Sequence, residues 1–219
     1  MRGYDPAVPG HSPDARTAVE GADVVLSANA AKAALGVAAD ALPGLGPRAV
    51  YADLNTAAPA LKRELASMVE GAAARFADVA LLGPVPTHGL GTRALASGSG
   101  AQAFADAVGP LGMPVRVVSD QAGDAAAMKL VRSVFMKGLA ASTVESMRAA
   151  EAAGCADWLA DEIAEVIGRP LLDRLLDGSE RHATRRVDEM GAAAELLQEL
   201  GVEPRIAEAS AALLADLAD

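Results

Sequence analysis

The chain has 219 residues, enough for one large domain or two modest ones, and carries a net charge of −10 at neutral pH. This acidic balance argues against nucleic acid as a partner, because binding phosphates requires a basic face. Although 52% of the residues are hydrophobic, charged residues interrupt the apolar stretches before about 18–20 residues are reached, so no membrane span is predicted. The single cysteine, Cys155, excludes an intramolecular disulfide and a zinc site built from several cysteines.

The pattern of the N-terminal residues predicts no targeting signal. Residues Met1 to Pro6 lack the apolar segment and small-residue cleavage site of a secretory signal, so we expect a cytoplasmic protein. Tyr4-Asp5-Pro6 is typical of a strand end that carries an acidic residue, the position that binds the adenosine ribose in dinucleotide-binding folds. An ordinary turn before Pro6 is the alternative, because Asp-Pro commonly starts turns.

Five short apolar runs predict the strands of a sheet. They cover residues 22–28, 48–54, 76–83, 94–97 and 114–120. The first two are rich in Val and Leu, and each precedes an alanine-rich helical pattern. Alternation of strand and helix indicates an α/β domain, a parallel sheet with helices on both faces, which we place at residues 1–122.

No complete phosphate-binding glycine fingerprint is present in the sequence. Such a fingerprint should lie about 20 residues before the acidic strand end, where the chain has only begun. The nearest match, Gly98-Ser99-Gly100-Ala101-Gln102-Ala103, follows a short strand and opens a helix, but its third glycine is alanine. We favour a missing first strand, helix and pyrophosphate cradle, either through a start site placed too late or through a real loss.

The second half of the chain is helical by composition and period. A long connecting helix begins after Gly123 and meets no breaker except Gly138 before residue 153. Further helices follow, separated by predicted turns at residues 168–170, 177–179 and 201–204. We therefore assign residues 123–219 to the connecting helix and an all-helical domain.

Cations near the start of the long helix are the candidate chemical groups. Lys129, Arg132 and Ser133 project roughly together, with Lys137 at the edge of the same face. This cationic stripe suits an anionic substrate, and a lysine can transfer protons if burial and nearby cations lower its pKa. A surface lysine whose stem covers apolar neighbours is the alternative for Lys129.

Three segments and the helical half carry a family resemblance. Asp53-Leu54-Asn55-Thr56-Ala57-Ala58-Pro59 resembles D-x-S-T-x-x-P, and residues 76–98 resemble F-V-D-A-P-V-S-G-G with its later glycines. Gly123 to Lys129 resembles G-x-G-x-x-x-K, with alanine in place of the second glycine. These motifs, in this order, resemble the β-hydroxyacid dehydrogenase superfamily over nearly the whole chain. The segment from His182 to Met190 is similar to a phosphogluconate-dehydrogenase-like subgroup.

The resemblance implies an N-terminally incomplete Rossmann-like sheet, a nicotinamide cofactor (NAD or NADP) and hydride transfer to or from a small hydroxy or keto acid or related carbonyl. It implies that Lys129 is the general acid or base and that Ser133 bonds the reacting oxygen in place of the family's asparagine. Cofactor contacts are expected at Asp5, Asn29, Asn55 and Thr56. Substrate contacts are expected at Gly83, Thr87, His88, Arg132, Lys137, His182, Arg185 and Arg186. Because relatives commonly dimerise, we also expect a homodimer.

Several departures and alternatives accompany this interpretation. Leu82 stands where the family has a substrate-contacting serine, and Pro84 replaces a motif glycine, so substrate recognition should differ from that of simple hydroxyacid enzymes. Arg185 and Arg186 can clamp an anion or pair with acids on helical surfaces. His88 and His182 can instead be solvated side chains. No spacing of His and acidic residues indicates a metal site.

Two other functions stay open at the sequence level. One is a non-catalytic, cofactor-free dimerisation or binding protein, since loss of the pyrophosphate cradle removes the main anchor of a dinucleotide. The other is an imine reductase-like enzyme that keeps the fold but replaces the lysine, and the presence of Lys129 disfavours it.

Overall fold

The computed structural model of the chain describes residues 2–8 and 11–218. The chain divides into two compact units, one up to Lys129 and one from Leu130 on. This boundary lies inside the long helix, whereas the sequence pattern placed it at the start of that helix. The first turn of the helix groups with the sheet because its leading backbone amides bond to side chains of the sheet.

All five predicted strands form and lie in one sheet. The sheet follows chain order, with strands β1 (Val24–Ser27), β2 (Val50–Asp53), β3 (Arg75–Leu81), β4 (Ala94–Ser97) and β5 (Val115–Ser119). β1, β2 and β3 are parallel, and β5 is parallel to β4. The α/β architecture is confirmed, with a mixed sheet.

The prediction of a wholly parallel sheet is wrong at one pairing, because β4 runs antiparallel to β3. A parallel pairing requires a crossover that returns the chain to the edge where the first strand began, and this usually needs a long helix. Residues 82–93 contain only a four-residue α-helix, Val85–His88, and a short 3₁₀ turn. The chain therefore turns at the edge where β3 ends and enters β4 in the opposite direction.

Helices cover both faces of the sheet. In this unit they are α1 (Ala15–Val19), α2 (Ala34–Ala41), α3 (Pro59–Gly71), α4 (Val85–His88) and α5 (Ala101–Val108). Tyr51 and Phe76 pack in the core with α1, α2 and α3, whereas Val50 and Ala52 pack in a second core with Phe104 of α5. Successive residues of a strand point to opposite faces, so β2 contributes to both cores.

The long helix, α6 (Asp124–Ala152), has 29 residues and passes through Gly138 without a break. A Cβ atom at Gly138 would lie 2.8 Å from Cγ2 of Ile206, so the glycine permits close approach of the last helix. No helix within the described residues is both long and apolar enough to cross a membrane.

Four more helices complete the second unit: α7 (Ala156–Ile167), α8 (Arg169–Arg181), α9 (Ala183–Glu199) and α10 (Arg205–Ala215). The predicted turns at residues 168–170 and 201–204 are present, but the one at 177–179 is wrong. Helix α8 continues through these residues, and the Ser179 hydroxyl is accommodated within it by donating to the carbonyl oxygen of Leu175 at 2.7 Å. The chain leaves helical geometry at His182 instead.

Candidate functional site

Polar side chains follow β1 and β2 where these parallel strands end, an edge that we call the carboxyl edge. The backbone amide of Asn29 donates to Oδ1 of Asn55 at 2.6 Å, and Nδ2 of Asn55 donates to Oδ1 of Asn29 at 3.0 Å. Nδ2 of Asn55 also donates to Oδ1 of Asp53 at 2.5 Å. In open α/β sheets ligands bind outside the carboxyl ends of the strands. The structure thus brings together two residues for which we predict cofactor contacts.

Lys129 lies at the same edge, on the second turn of α6. Its Nζ donates to Oγ1 of Thr56 at 2.6 Å, joining residues 73 positions apart in the chain. Both side chains are half-buried. An ammonium group bonded to a hydroxyl can exchange a proton with a ligand that bonds to either group. The predicted catalytic lysine and a predicted cofactor residue are therefore neighbours.

The start of α6 is fixed by two buried side chains of the sheet. The amide of Ala126 donates to Oδ2 of Asp78 at 2.9 Å, and the amide of Ala125 donates to Oγ of Ser97 at 3.0 Å. These are amides that a helix leaves unpaired at its N-terminus, where a carboxylate is also favoured by the helix dipole. Asp78 and Ser97 thereby set the position of the helical turn that carries Lys129.

A buried lysine, Lys62, connects these features and was missed by the sequence analysis. Its Nζ lies 2.6 Å from Oδ2 of Asp53, 3.0 Å from the carbonyl oxygen of Asp53 and 3.1 Å from Oδ1 of Asp78. All three side chains are inaccessible to solvent. We call Lys62, Asp53 and Asp78 the Lys62 network.

A signal for Lys62 was present in the sequence. Lys62, Leu65, Ala66 and Val69 have the spacing of one helix face, and all four are buried in α3. A lysine at an apolar-face position implies a buried partner for its charge. The described residues contain no group of three His, Cys, Asp or Glu side chains able to hold a metal ion.

The second unit contains a different polar cluster, formed by α6 and α9. The Ser133 hydroxyl donates to Oε1 of Glu189 at 2.5 Å, and Nζ of Lys137 lies 2.9 Å from the same oxygen. Ser133 and Glu189 are buried. Burial lowers the pKa of Lys137, partly offset by the negative charge of Glu189. While it donates to Glu189, the Ser133 hydroxyl can accept a hydrogen bond from a substrate hydroxyl, but it would have to leave Glu189 to donate to a substrate oxygen.

The arginines predicted for substrate binding differ in solvent exposure. Arg132 and Arg185 are exposed, so Arg132 does not share the buried environment of Ser133 one position later. Nη1 of Arg186 donates to Oγ of Ser179 at 2.8 Å, and burial lowers the pKa of this guanidinium group despite the nearby Glu189 charge.

His182 is exposed and precedes α9. Partial desolvation, followed by the charges of the three arginines at 181, 185 and 186, lowers its pKa. It is therefore a mostly neutral imidazole beside guanidinium groups near neutral pH.

Gly83, Thr87 and His88 lie on the exposed segment after β3. The imidazole of His88 folds back over Gly83, where an added Cβ atom would lie 3.5 Å from Cδ2 of the ring. These three residues are adjacent in space, and substrate contact by them stays a prediction.

Asp5 does not end a strand, so that expectation is wrong. Its exposed carboxylate accepts a 2.8 Å hydrogen bond from the amide of Ala7, which is the geometry of a turn started by an Asp side chain. The structure thus has the alternative conformation for this segment. Cofactor binding by Asp5 stays a prediction.

The glycine-rich turn after β4 is unsuited to holding phosphate. The amide of Gly100 donates to the carbonyl oxygen of Phe76 at 2.7 Å, and the amides of Gly98 and Ala101 donate to the carbonyl oxygens of Ser119 and Gly98. Because β4 is antiparallel to β3, this turn lies beside the beginning of β3, at the edge opposite the carboxyl edge. Its glycines allow close packing on β3 instead.

Two solved structures and one family model show which known proteins this chain resembles. A conserved hypothetical protein from Sinorhizobium meliloti 1021 is 32% identical, with a TM-score of 0.72 over 92% of this chain and 69% of that one. The conserved protein MTH1747, described as structurally similar to 3-hydroxyacid dehydrogenases, is 28% identical, with a TM-score of 0.72 over 96% and 80%. The chain belongs to the β-hydroxyacid dehydrogenase superfamily. The domain of unknown function DUF1932 matches residues 150–217 and is the C-terminal domain of this family.

Solved structures of lower sequence identity share the fold. The 3-hydroxyisobutyrate dehydrogenase from Salmonella typhimurium is 18% identical, with a TM-score of 0.77 over 93% of this chain and 76% of that one. Psf3, solved with NADP⁺ and 2-OPP, is 19% identical, with a TM-score of 0.64 over 84% and 70%. The fold of this chain is therefore that of NAD(P)-dependent oxidoreductases.

Proposed function

We propose that the protein is an NAD(P)-dependent oxidoreductase that transfers a hydride between a nicotinamide cofactor and a small hydroxy or keto acid or related carbonyl. The observation that carries this proposal is the 2.6 Å contact of Lys129 Nζ with Thr56 Oγ1 beside the paired amides of Asn29 and Asn55. These groups lie at the carboxyl edge, where α/β sheets bind their ligands.

The donor set suits the ribose and carboxamide groups of a nicotinamide nucleotide. Asn29, Asn55 and Thr56 offer amide and hydroxyl groups that both donate and accept hydrogen bonds, as uncharged polar ligand groups require. We assign these three residues and Asp5 to cofactor binding. When bound, the cofactor supplies the hydride acceptor or donor. Titration with each nucleotide distinguishes NAD from NADP as the cofactor.

Lys129 is assigned the proton transfer that accompanies hydride transfer. Oxidation of an alcohol releases its hydroxyl proton, and reduction of a carbonyl requires a proton on the new alkoxide oxygen. The side chain of Lys129 can accept or donate that proton, while Thr56 holds its nitrogen at a fixed position. We assign recognition of the substrate to Ser133 and to the other residues predicted for it: Gly83, Thr87, His88, Arg132, Lys137, His182, Arg185 and Arg186.

Calorimetric titration with NADH and NADPH, followed by assays with small keto acids, tests this function. We expect Lys129→Met to bind cofactor as the unchanged protein does and to lose about 10²–10⁴-fold in turnover, the usual contribution of a general acid or base. Thr56→Val should lose about tenfold to hundredfold, because it removes a hydrogen bond to a charged group. Thr56→Ser, which keeps the hydroxyl, should retain most activity.

Arg148→Met is the matched control, because Arg148 is an exposed cation on the same helix. Turnover that persists in Lys129→Met, or falls equally in Arg148→Met, would contradict the assignment. Failure of the unchanged protein to bind either nucleotide would instead favour a non-catalytic binding or dimerisation protein.

We also propose that the chain forms a homodimer. Val131 and Phe135 are four positions apart on α6 and are 49% and 69% exposed. Adjacent exposed apolar side chains on one helix face are a frequent feature of protein interfaces.

A further inference from the structure

The Lys62 network is connected to the Lys129–Thr56 pair by two series of hydrogen-bonded and sequence-adjacent residues, which we call its two arms. On one arm, Oδ1 of Asp53 accepts a hydrogen bond from the side chain of Asn55, and Thr56 is the next residue in the chain. On the other arm, Oδ2 of Asp78 accepts from the amide of Ala126, one helical turn before Lys129 and Leu130. The remaining oxygen of each carboxylate faces Lys62.

The ammonium group of Lys62 lies within ion-pair distance of both aspartates. Its Nζ donates hydrogen bonds to the carbonyl oxygen and to Oδ2 of Asp53, and it forms an ion pair at 3.1 Å with Oδ1 of Asp78, a buried oxygen to which no hydrogen bond is made by the described residues. Asp53 and Asp78 are register partners on β2 and β3, so the two buried negative charges are neighbours. A positive charge between them offsets their mutual repulsion, whereas its removal would leave two buried like charges side by side.

We infer that Lys62 is a positioning residue that holds the Lys129–Thr56 pair together through both arms. Its functional meaning rests on the proposed role of Lys129 in proton transfer. Without the Lys62 charge, the two buried carboxylates would lose the cation that they share and would repel each other. Such a change weakens either the capping of α6 by Asp78 or the bond from Asn55 to Asp53. Either arm would then release its end of the pair.

Trace acetylation of lysines with acetic anhydride, quantified by mass spectrometry, reads this pair directly. Acetylation requires Nζ of Lys129 to be uncharged and accessible, and its contact with Thr56 restricts that access, so its labelling rate relative to exposed Lys32 reports how firmly the pair is held. We expect Lys62→Met to raise this ratio by about fivefold, the factor that corresponds to one net hydrogen bond.

Leu65→Ala is the matched control, because Leu65 is buried on the same helix but lies in the apolar core. It should lower the melting temperature while leaving the Lys129 ratio unchanged. An equal rise in both variants would show general loosening and overturn the inference, as would an unchanged ratio in folded Lys62→Met. If Lys62→Met does not fold, Asp53→Asn breaks the same network with little change in shape, and the same ratio decides.

The labelling outcome is independent of the oxidoreductase proposal. If the protein neither binds nicotinamide cofactors nor turns over keto acids, the proposed function fails while the labelling ratios still show whether Lys62 holds the pair. If turnover is found but the ratio does not change, only the positioning role of Lys62 fails.

Discussion

Tyr51 shows how strongly burial in the core acts on the pKa of a side chain. Its phenol is 1% exposed, and burial raises its pKa to about 12, with a further increase from the charge of Asp53 and an opposing effect of the Ser27 hydroxyl. Loss of the phenol proton would place a negative charge in the buried core next to the carboxylate of Asp53. The protonation state of Tyr51 is thus set mainly by its burial and only secondarily by its neighbours.

We expect the unchanged protein to lose stability relative to Tyr51→Phe as pH rises from 10 to 12. In the unfolded chain Tyr51 releases its proton near pH 10, whereas in the folded protein it does so near pH 12. The unfolded state is therefore favoured progressively across this window, by about 2–3 kcal/mol in total. Urea unfolding of both proteins at a series of pH values checks this difference. A constant difference between the proteins would contradict it.

Two helices of the first unit, α3 and α6, approach each other closely where α6 begins. Gly123, which precedes α6, has φ of 99°, and a Cβ atom there would lie 2.9 Å from the carbonyl oxygen of Pro59 at the start of α3. The same turn supplies the amides capped by Asp78 and Ser97. Placement of Lys129 thus depends on a helix start that only glycine fits.

Gly123→Ala should destabilise the protein by about 2 kcal/mol or more, because it combines a left-handed backbone with a backbone clash. Gly36→Ala is the matched control. Gly36 is an exposed residue within α2, and no atom lies within 4 Å of an added Cβ, so this variant should gain about 0.5–1 kcal/mol of stability. Chemical denaturation of the two variants measures both changes, and equal effects would show that the helix start tolerates a side chain.

At the scale of the whole molecule, local patterns predicted elements well and long-range pairings poorly. The strand at 94–97 could be read from its apolar run, but its direction depends on how residues 82–93 return, which no local pattern encodes. The burial of Lys62 and Glu189 depends on partners elsewhere in the chain. The motif resemblance selected Lys129 and Thr56 separately, and their contact across 73 positions was found only in the structure.

The exposed apolar side chains of α6 predict that two chains associate. If Val131 and Phe135 lie in a homodimer interface, Phe135→Glu places a charge in that interface, where it loses hydration without gaining a partner. We expect this variant to sediment as a monomer at concentrations where the unchanged protein is a dimer. Sedimentation velocity over about a hundredfold range of concentration measures this, because association follows mass action.

Leu111→Glu is the control for that experiment, since Leu111 is 65% exposed, close to the 69% of Phe135, and lies in the first unit on a short 3₁₀ turn. It should change net charge equally and leave the dimer intact. A charge effect spread over the whole surface would shift both variants, whereas an interface at α6 shifts only Phe135→Glu. A monomeric unchanged protein throughout the range would refute the homodimer, and a dimer that survives Phe135→Glu would place the interface on another face.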